Sequence, residues 1–135
     1  MHVFVLAGVP VPQQRPRRGK FIFYNPNAAQ KTAARWELKQ QFKGHIFKKE
    51  AISLDITYYL PTPKTISKKE KEALILENFR PHIKKPDIDN LLKFTLDAMQ
   101  GIIFDNDSEI YAINAIKKYS ENPQTVITLQ EFYAA

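Results

Sequence analysis

A chain of 135 residues without a cysteine is long enough to bury a core in one domain, and it excludes disulfides and thiolate metal sites. Its 44% apolar and 12% aromatic content is that of a globular chain, not a disordered one, and no apolar run approaches the ~18 residues of a membrane span. The net charge of +6 and pI near 9.5 point to a polyanionic partner, and the lack of cysteine agrees with a reducing, cytoplasmic setting.

The opening MHVFVLAGVP has no basic leader and no small-residue cleavage site, so residues 2–7 read as a strand and not as a signal peptide. Residues 9–20, VPVPQQRPRRGK, hold Pro10, Pro12, Pro16 and Gly19 among Arg15, Arg17, Arg18 and Lys20. Proline cannot join a central strand, so this is a basic loop or arm, with Gln13 and Gln14 as neutral donors. FIFY, at 21–24, is a short extended piece. Asn25 as N-cap and Pro26 at the first helical position start a helix that Gly44 stops, over roughly 26–43. Lys31, Arg35, Lys39 and Lys43 recur on it every four residues, either as a solvated face or as a track for a polyanion. In residues 51–60, Ile52, Leu54, Ile56, Tyr58 and Leu60 alternate as in a half-buried strand. Ser67 with Glu70 forms a capping box for a helix over 68–78. Ile88, Leu91, Leu92, Thr95, Leu96 and Met99 fall on one face of a third helix, ended by Gly101. Residues 109–119 and 124–133 read as two strands joined at Asn122-Pro123, as a hairpin. The order β-α-β-α-α-β-β predicts an α/β domain of mixed α+β character, a single domain over 1–135 with a mixed sheet of about four strands and helices packed on it.

The charge is unevenly spread. Residues 87–109 hold six acids and a single base, Lys93, inside an otherwise basic chain. An acidic island repels a polyanion unless a cation intervenes. Asp87 alone is explained as the cap of the third helix. Asp89 lies in the first turn, and Asp105 and Asp107 follow the same helix after Gly101 and IIF. That helix is about 20 Å long at 1.5 Å per residue. The chain after it covers at most about 3.5 Å per residue, so Asp107 can reach back to the helix N-terminus. Converging carboxylates ~4 Å apart repel by about 4 kcal/mol per pair at an effective dielectric of 20. A divalent cation relieves this, and an all-oxygen donor set suits Mg²⁺ or Mn²⁺. None of His2, His45 and His82 is assigned to metal. Lys93, one turn after Asp89, either pairs with Asp89 or Asp97 or steadies a phosphate. DNDSE, at 105–109, is not an EF-hand loop, because Ile110 and Ile116 stand where that loop needs Gly and Glu.

The stretch KKPDIDNLLKFTLDAMQGIIFDNDSEI, residues 84–110, resembles the signature of the RusA family of Holliday junction resolvases: Asp-x-Asp-Asn-Leu-x-Lys, a helix, then an Asp-Asp or Asn-Asp pair before a strand. PVPQQRPR and YNP near the N-terminus are similar to that family too. The resemblance implies a RusA-like fold and a Mg²⁺-dependent endonuclease, with Mn²⁺ as a substitute, that acts as a homodimer on four-way DNA junctions, with no small-molecule cofactor and no membrane partner. It implies Asp87, Asp89 and Asp107 as metal ligands and Lys93 as the essential lysine. Asn106-Asp107 stands where some members have two aspartates, which favours Asp107 over Asp105. Lys84-Lys85-Pro86 stands where some members carry arginines, and lysine holds phosphate without arginine's bidentate fork. Gln13, Gln14, Arg15, Arg17, Arg18, Lys84 and Lys85 are the expected DNA contacts. Trp36, Tyr58 and Tyr59 are either base-stacking platforms or core residues.

Two other readings compete. A non-catalytic, architectural junction-binding protein needs the basic surface but not the acids. A PD-(D/E)xK nuclease has its Pro86-Asp87, but no Asp/Glu-x-Lys follows at a suitable spacing.

Overall fold

In the computed structural model, which describes residues 1–15, 17–18, 23–24, 26–64, 67–77 and 80–133, the alternating segment after residue 51 lies inside a four-stranded sheet. The elements are β1 (His2–Ala7), β2 (Arg17–Arg18), β3 (Phe23–Tyr24), α1 (Ala28–Gln41), β4 (Ile52–Pro61), α2 (Lys68–Glu77), α3 (Ile88–Met99), β5 (Ile110–Ser120) and β6 (Gln124–Glu131). A 3-10 turn over Asp107–Glu109 leads into β5. The strand order is β1-β6-β4-β5, with β6 antiparallel to both its neighbours and β4 parallel to β5. β2 and β3 pair in a separate small ribbon. The fold is the mixed α+β sheet with packed helices that the element order predicts.

β4 sets the core. Ile52, Leu54, Ile56, Tyr58 and Leu60 are all buried, and they meet Phe4, Leu6, Ala34, Leu38, Leu91 and Phe94 in one hydrophobic cluster. Residues between them on β4 are half-buried or exposed, so one face of the sheet carries α1 and α3 while the other faces solvent. His2 belongs to an aromatic cluster, stacked on Phe4 and edge-on to Phe42 and Phe47. Among the described residues no helix is long and apolar enough to cross a membrane.

Two expectations are corrected. Helix α1 begins two residues later than Pro26 suggests, with Asn27 as its N-cap, and it ends at Gln41, with Phe42 as its C-cap, before Gly44; Asn25 lies outside the described residues. β5 and β6 are not a hairpin, because β4 lies between them. The gap is two strand spacings, roughly 10 Å, and residues 121–123 bridge it where β4 ends, with Pro61 level with Ser120. The amide of Asn122 donates to Ser120 Oγ at 3.0 Å, closing the turn. A turn of Asn and Pro is equally compatible with adjacent strands or with strands one apart.

The third helix forms as its periodicity predicts, with a broader buried face. Leu91, Phe94, Thr95, Ala98 and Met99 are buried, Leu92 and Leu96 half-buried, and Ile88 is exposed. Tyr58 Oη lies 2.9 Å from Thr95 Oγ1, and the Thr95 hydroxyl donates to the Leu91 carbonyl at 3.0 Å. Burial raises the Tyr58 hydroxyl well above its ordinary range. Gly101 takes φ +85°, a conformation that favours glycine, and ends the helix.

The C-terminus of α3 is held from α1. Arg35 Nη1 donates to the carbonyls of Asp97, Ala98 and Gln100 at 3.3, 3.2 and 2.7 Å. A guanidinium there satisfies carbonyls that the helix leaves open and offsets the negative end of its dipole. Lys31 pairs with Asp97 and donates to Gln13 Oε1 at 2.9 Å. The basic stripe on α1 is therefore divided: Lys31 and Arg35 bind α3, while Lys39 and Lys43 stay exposed. Replacing Arg35 by Met is expected to lower stability by about 1.5–3 kcal/mol, the range for charged hydrogen bonds. Urea unfolding followed by circular dichroism measures it, as a lower midpoint at an unchanged slope.

Candidate active site

Asp87 precedes α3 in extended conformation (φ −69°, ψ 145°), and its carbonyl accepts from the amide of Leu91 at 3.1 Å. Its side chain makes no capping hydrogen bond, so the carboxylate that a cap would use up stays available. Asp89 sits within the first turn, and its Oδ1 accepts from the amide of Asn90 at 2.9 Å. Lys93 follows one turn later, exposed and without an ion pair among the described residues; Asp97, its other candidate partner, is taken by Lys31. The Asp87, Asp89, Asn90 and Lys93 side of α3 forms one wall of an open cleft of about 760 Å³.

The other wall is the N-terminal arm, namely Gln13, Gln14 and Arg15. The arm is strapped at each step. The amide of Gln13 donates to the Asn90 carbonyl at 2.8 Å, directly across the first turn of α3. The amide of Gln14 donates to Asn27 Oδ1 at 2.6 Å, and the Gln13 side chain accepts from Lys31. Asn27 has no exposed surface, and its Nδ2 donates to Gln30 Oε1 at 2.9 Å. The arm thus joins the carboxylates through main-chain hydrogen bonds, which require no specific side chain at Gln13 or Gln14.

Asp107 is not in this cleft. It lies on the exposed 3-10 turn and lines a separate hollow of about 360 Å³ with Leu96, Ile110 and Tyr111. Asp89, Lys93 and Leu96 are spaced by four and three residues, so they share a side of α3. Leu96, which lines Asp107's hollow, sits about 4.5 Å beyond Lys93 along the helix axis. Asp105 is exposed, and its amide donates to the Phe47 carbonyl at 2.9 Å. Among the described residues, no three His, Asp or Glu side chains come together as a metal cage. Asp87 and Asp89 still fit a hard divalent cation, since Mg²⁺ retains several waters and is commonly bound by one or two carboxylates plus a substrate phosphate.

A family model described as Endodeoxyribonuclease RusA matches residues 7–130. The chain belongs to the RusA endodeoxyribonuclease family. It is 35% identical over 129 residues to the Crossover junction endodeoxyribonuclease RusA of Aquifex aeolicus, covering 90% of this chain and 84% of that protein. It is also 32% identical over 139 residues to the uncharacterized protein YqaN of Bacillus subtilis, covering 97% and 96%.

For this RusA family member, the remaining sequence candidates divide clearly. Lys84 and Lys85 are exposed on the loop just before Asp87, outside the cleft lining, and the Lys85–Pro86 bond is cis. Arg17 and Arg18 form β2, the continuation of the arm beyond Arg15, while Lys20 lies outside the described residues. Tyr58 is core and Tyr59 lies under the Lys118 ammonium. Trp36 is 63% exposed and lines a groove with Arg35, Lys39 and Phe42. His82 is buried against Tyr119, and burial, then the nearby Lys117 ammonium, hold its imidazole below the ordinary value. Asn27 was missed because Asn25 is read as the cap, which puts Asn27 inside the helix; its position just after YNP was the available signal. With Asn27 replaced by Ala, amide hydrogen exchange at Gln13 and Gln14 is expected to speed up, with a loss of about 1–3 kcal/mol for the unpaired buried donor. Exchange followed by NMR measures the first and chemical unfolding the second.

Proposed function

We propose that this RusA family nuclease is a divalent-metal-dependent endonuclease that resolves four-way DNA junctions by paired, symmetric phosphodiester cleavage, working as a homodimer in the cytoplasm. The observation that carries the reading is the shared cleft: two carboxylates and an ammonium near the start of α3, none of them in an ion pair among the described residues, faced by a tethered arm with amide donors and Arg15. The name of the Aquifex relative supports the junction as substrate. A purely structural acidic cap leaves the second carboxylate and the unpaired Lys93 without a purpose.

In this reading Asp87 and Asp89 would hold Mg²⁺, with Mn²⁺ as a substitute, and Asp107, which lies outside the cleft, would be the third ligand. Such an ion, when bound, polarises the scissile phosphodiester and makes hydroxide available at neutral pH. The chain's own groups do the rest. Lys93 neutralises a non-bridging phosphate oxygen as negative charge builds there. Arg15, Arg17 and Arg18 on the arm, with Lys84 and Lys85 before Asp87, neutralise backbone phosphates, and Gln13 and Gln14 add neutral donors. These contacts fix register without reading bases. Two strands related by a two-fold axis need two matched sites, which a C2 dimer supplies.

The deciding experiment is cleavage of a labelled synthetic four-way junction against linear duplex of the same sequence, over tenfold steps of Mg²⁺. Wild type is expected to nick the junction symmetrically. Asp89→Asn should lose at least about 100-fold in rate, the scale of removing one charge-stabilising group, while still binding. Metal-independent binding without cutting by either protein replaces this reading with the architectural one. A second measurement is the salt dependence of binding: losing both Lys84 and Lys85 to Gln should reduce the log–log slope by about 1 to 2.

A further inference from the structure

The core-facing positions of β5 run Ile113, Ala115, Lys117, Tyr119, opposite Leu54, Ile56, Tyr58 and Leu60 of β4. A lysine in that row is out of character. It stands where the pattern calls for an apolar side chain, and it is half-buried. Two of the three donors of its ammonium are taken in another way: Lys117 Nζ donates to the Lys84 carbonyl at 2.8 Å and to the Pro86 carbonyl at 2.8 Å. The approach to that clamp is also fastened to β5. The amide of His82 donates to the Lys117 carbonyl, the amide of Tyr119 donates to the Arg80 carbonyl, both at 3.1 Å, and Pro81 bridges to Lys118.

The Pro86 carbonyl belongs to the peptide group whose nitrogen is that of Asp87. Fixing that oxygen fixes the peptide plane, and so the direction in which the Asp87 side chain leaves the chain. The loop has no other side-chain hydrogen bond of this kind among the described residues, and Asp87 itself has no side-chain capping bond to orient it. Desolvating an ammonium is costly unless it is hydrogen-bonded, so two carbonyl acceptors at 2.8 Å make a stiff clamp. We propose that Lys117 is a positioning residue for Asp87: it sets the peptide between Pro86 and Asp87 and thereby aims the carboxylate into the cleft. The proposal rests on the nuclease reading above. Lys117 does not line the cleft, and its ammonium meets only main-chain carbonyls of the loop that carries Asp87, so it acts through that loop.

The test compares wild type with Lys117→Met, which keeps the chain length and removes the donors. Lys117→Gln retains one shorter donor group, and Lys118→Met, on the outward side of β5, is the control. Two quantities are read: Mn²⁺ affinity without DNA, from the electron paramagnetic resonance signal of free Mn²⁺, and kcat and KM on the junction. Removing an outer group that orients a metal ligand typically costs about 10- to 100-fold in metal affinity or activity. That loss is expected in Mn²⁺ affinity and kcat for Lys117→Met, smaller for Lys117→Gln and absent for Lys118→Met, with KM close to wild type. Wild-type Mn²⁺ affinity and kcat in folded Lys117→Met overturn the proposal, and so does an equal loss in Lys118→Met. Should Lys117→Met not fold, Lys117→Gln decides by the same two readouts. A wild type that binds Mn²⁺ but cuts no junction sinks the nuclease reading, and the affinity measurement still decides the role of Lys117. A wild type that neither binds nor cuts overturns both.

Discussion

Helix α3 must be buried and exposed at once, and most of the molecule answers to that requirement. One side of it carries Leu91, Phe94, Ala98 and Met99 into the core, and the start of it carries two carboxylates that are of use only in water. A helix anchored at its middle alone would pivot. Here the far end is held by Arg35 on three carbonyls, the centre by Thr95 against Tyr58, and the near end by the main chain of Gln13 and by Lys117 on the preceding loop. Every one of these contacts comes from a segment distant in sequence.

The division of labour among the basic residues follows from the same requirement. A net charge of +6 is too coarse to say which cations meet DNA. Lys31, Arg35 and Lys117 are spent inside the fold, on Asp97 and on main-chain carbonyls. Those left exposed around the carboxylates are Arg15, Lys84, Lys85 and Lys93. The acidic island is thus bordered by exposed cations on the solvent side and supported by bound ones beneath. That arrangement offsets, on the solvent side, the repulsion that the carboxylates would otherwise present to a polyanion.

Much of this was legible in the sequence where the signal is local. The alternation of β4, the apolar face of α3 and the Ser67 cap, whose Oγ accepts from the Glu70 amide at 3.1 Å, each repeat within a turn or two of chain. The Asp-x-Asp-Asn-Leu-x-Lys spacing is local too, and it brought Asp87, Asp89 and Lys93 into one cleft. What failed or was missed depends on which distant segments meet. Asn122-Pro123 marks a turn but not which strands flank it. The chain length from Gly101 limits where Asp107 can lie but does not give its place, which is the hollow by Leu96. Asn27 and Lys117 look like an ordinary first-turn residue and an ordinary surface cation until their partners, 13 and more than 30 residues away, are known.

The strand order has a temporal meaning. β1 pairs with nothing in the sheet except β6, and β6 also completes the antiparallel side of β4. The first strand made waits for the last, and β4 finds its parallel neighbour only after α2 and α3 have been laid down between them. Pairings of such long sequence separation form slowly, because loop closure must precede the contacts that reward it. The arm that walls the cleft follows directly from β1. On the ribosome, therefore, the carboxylates exist well before the sheet is complete, and β1, from which the arm continues, is paired only once the residues through Glu131 are free to join it.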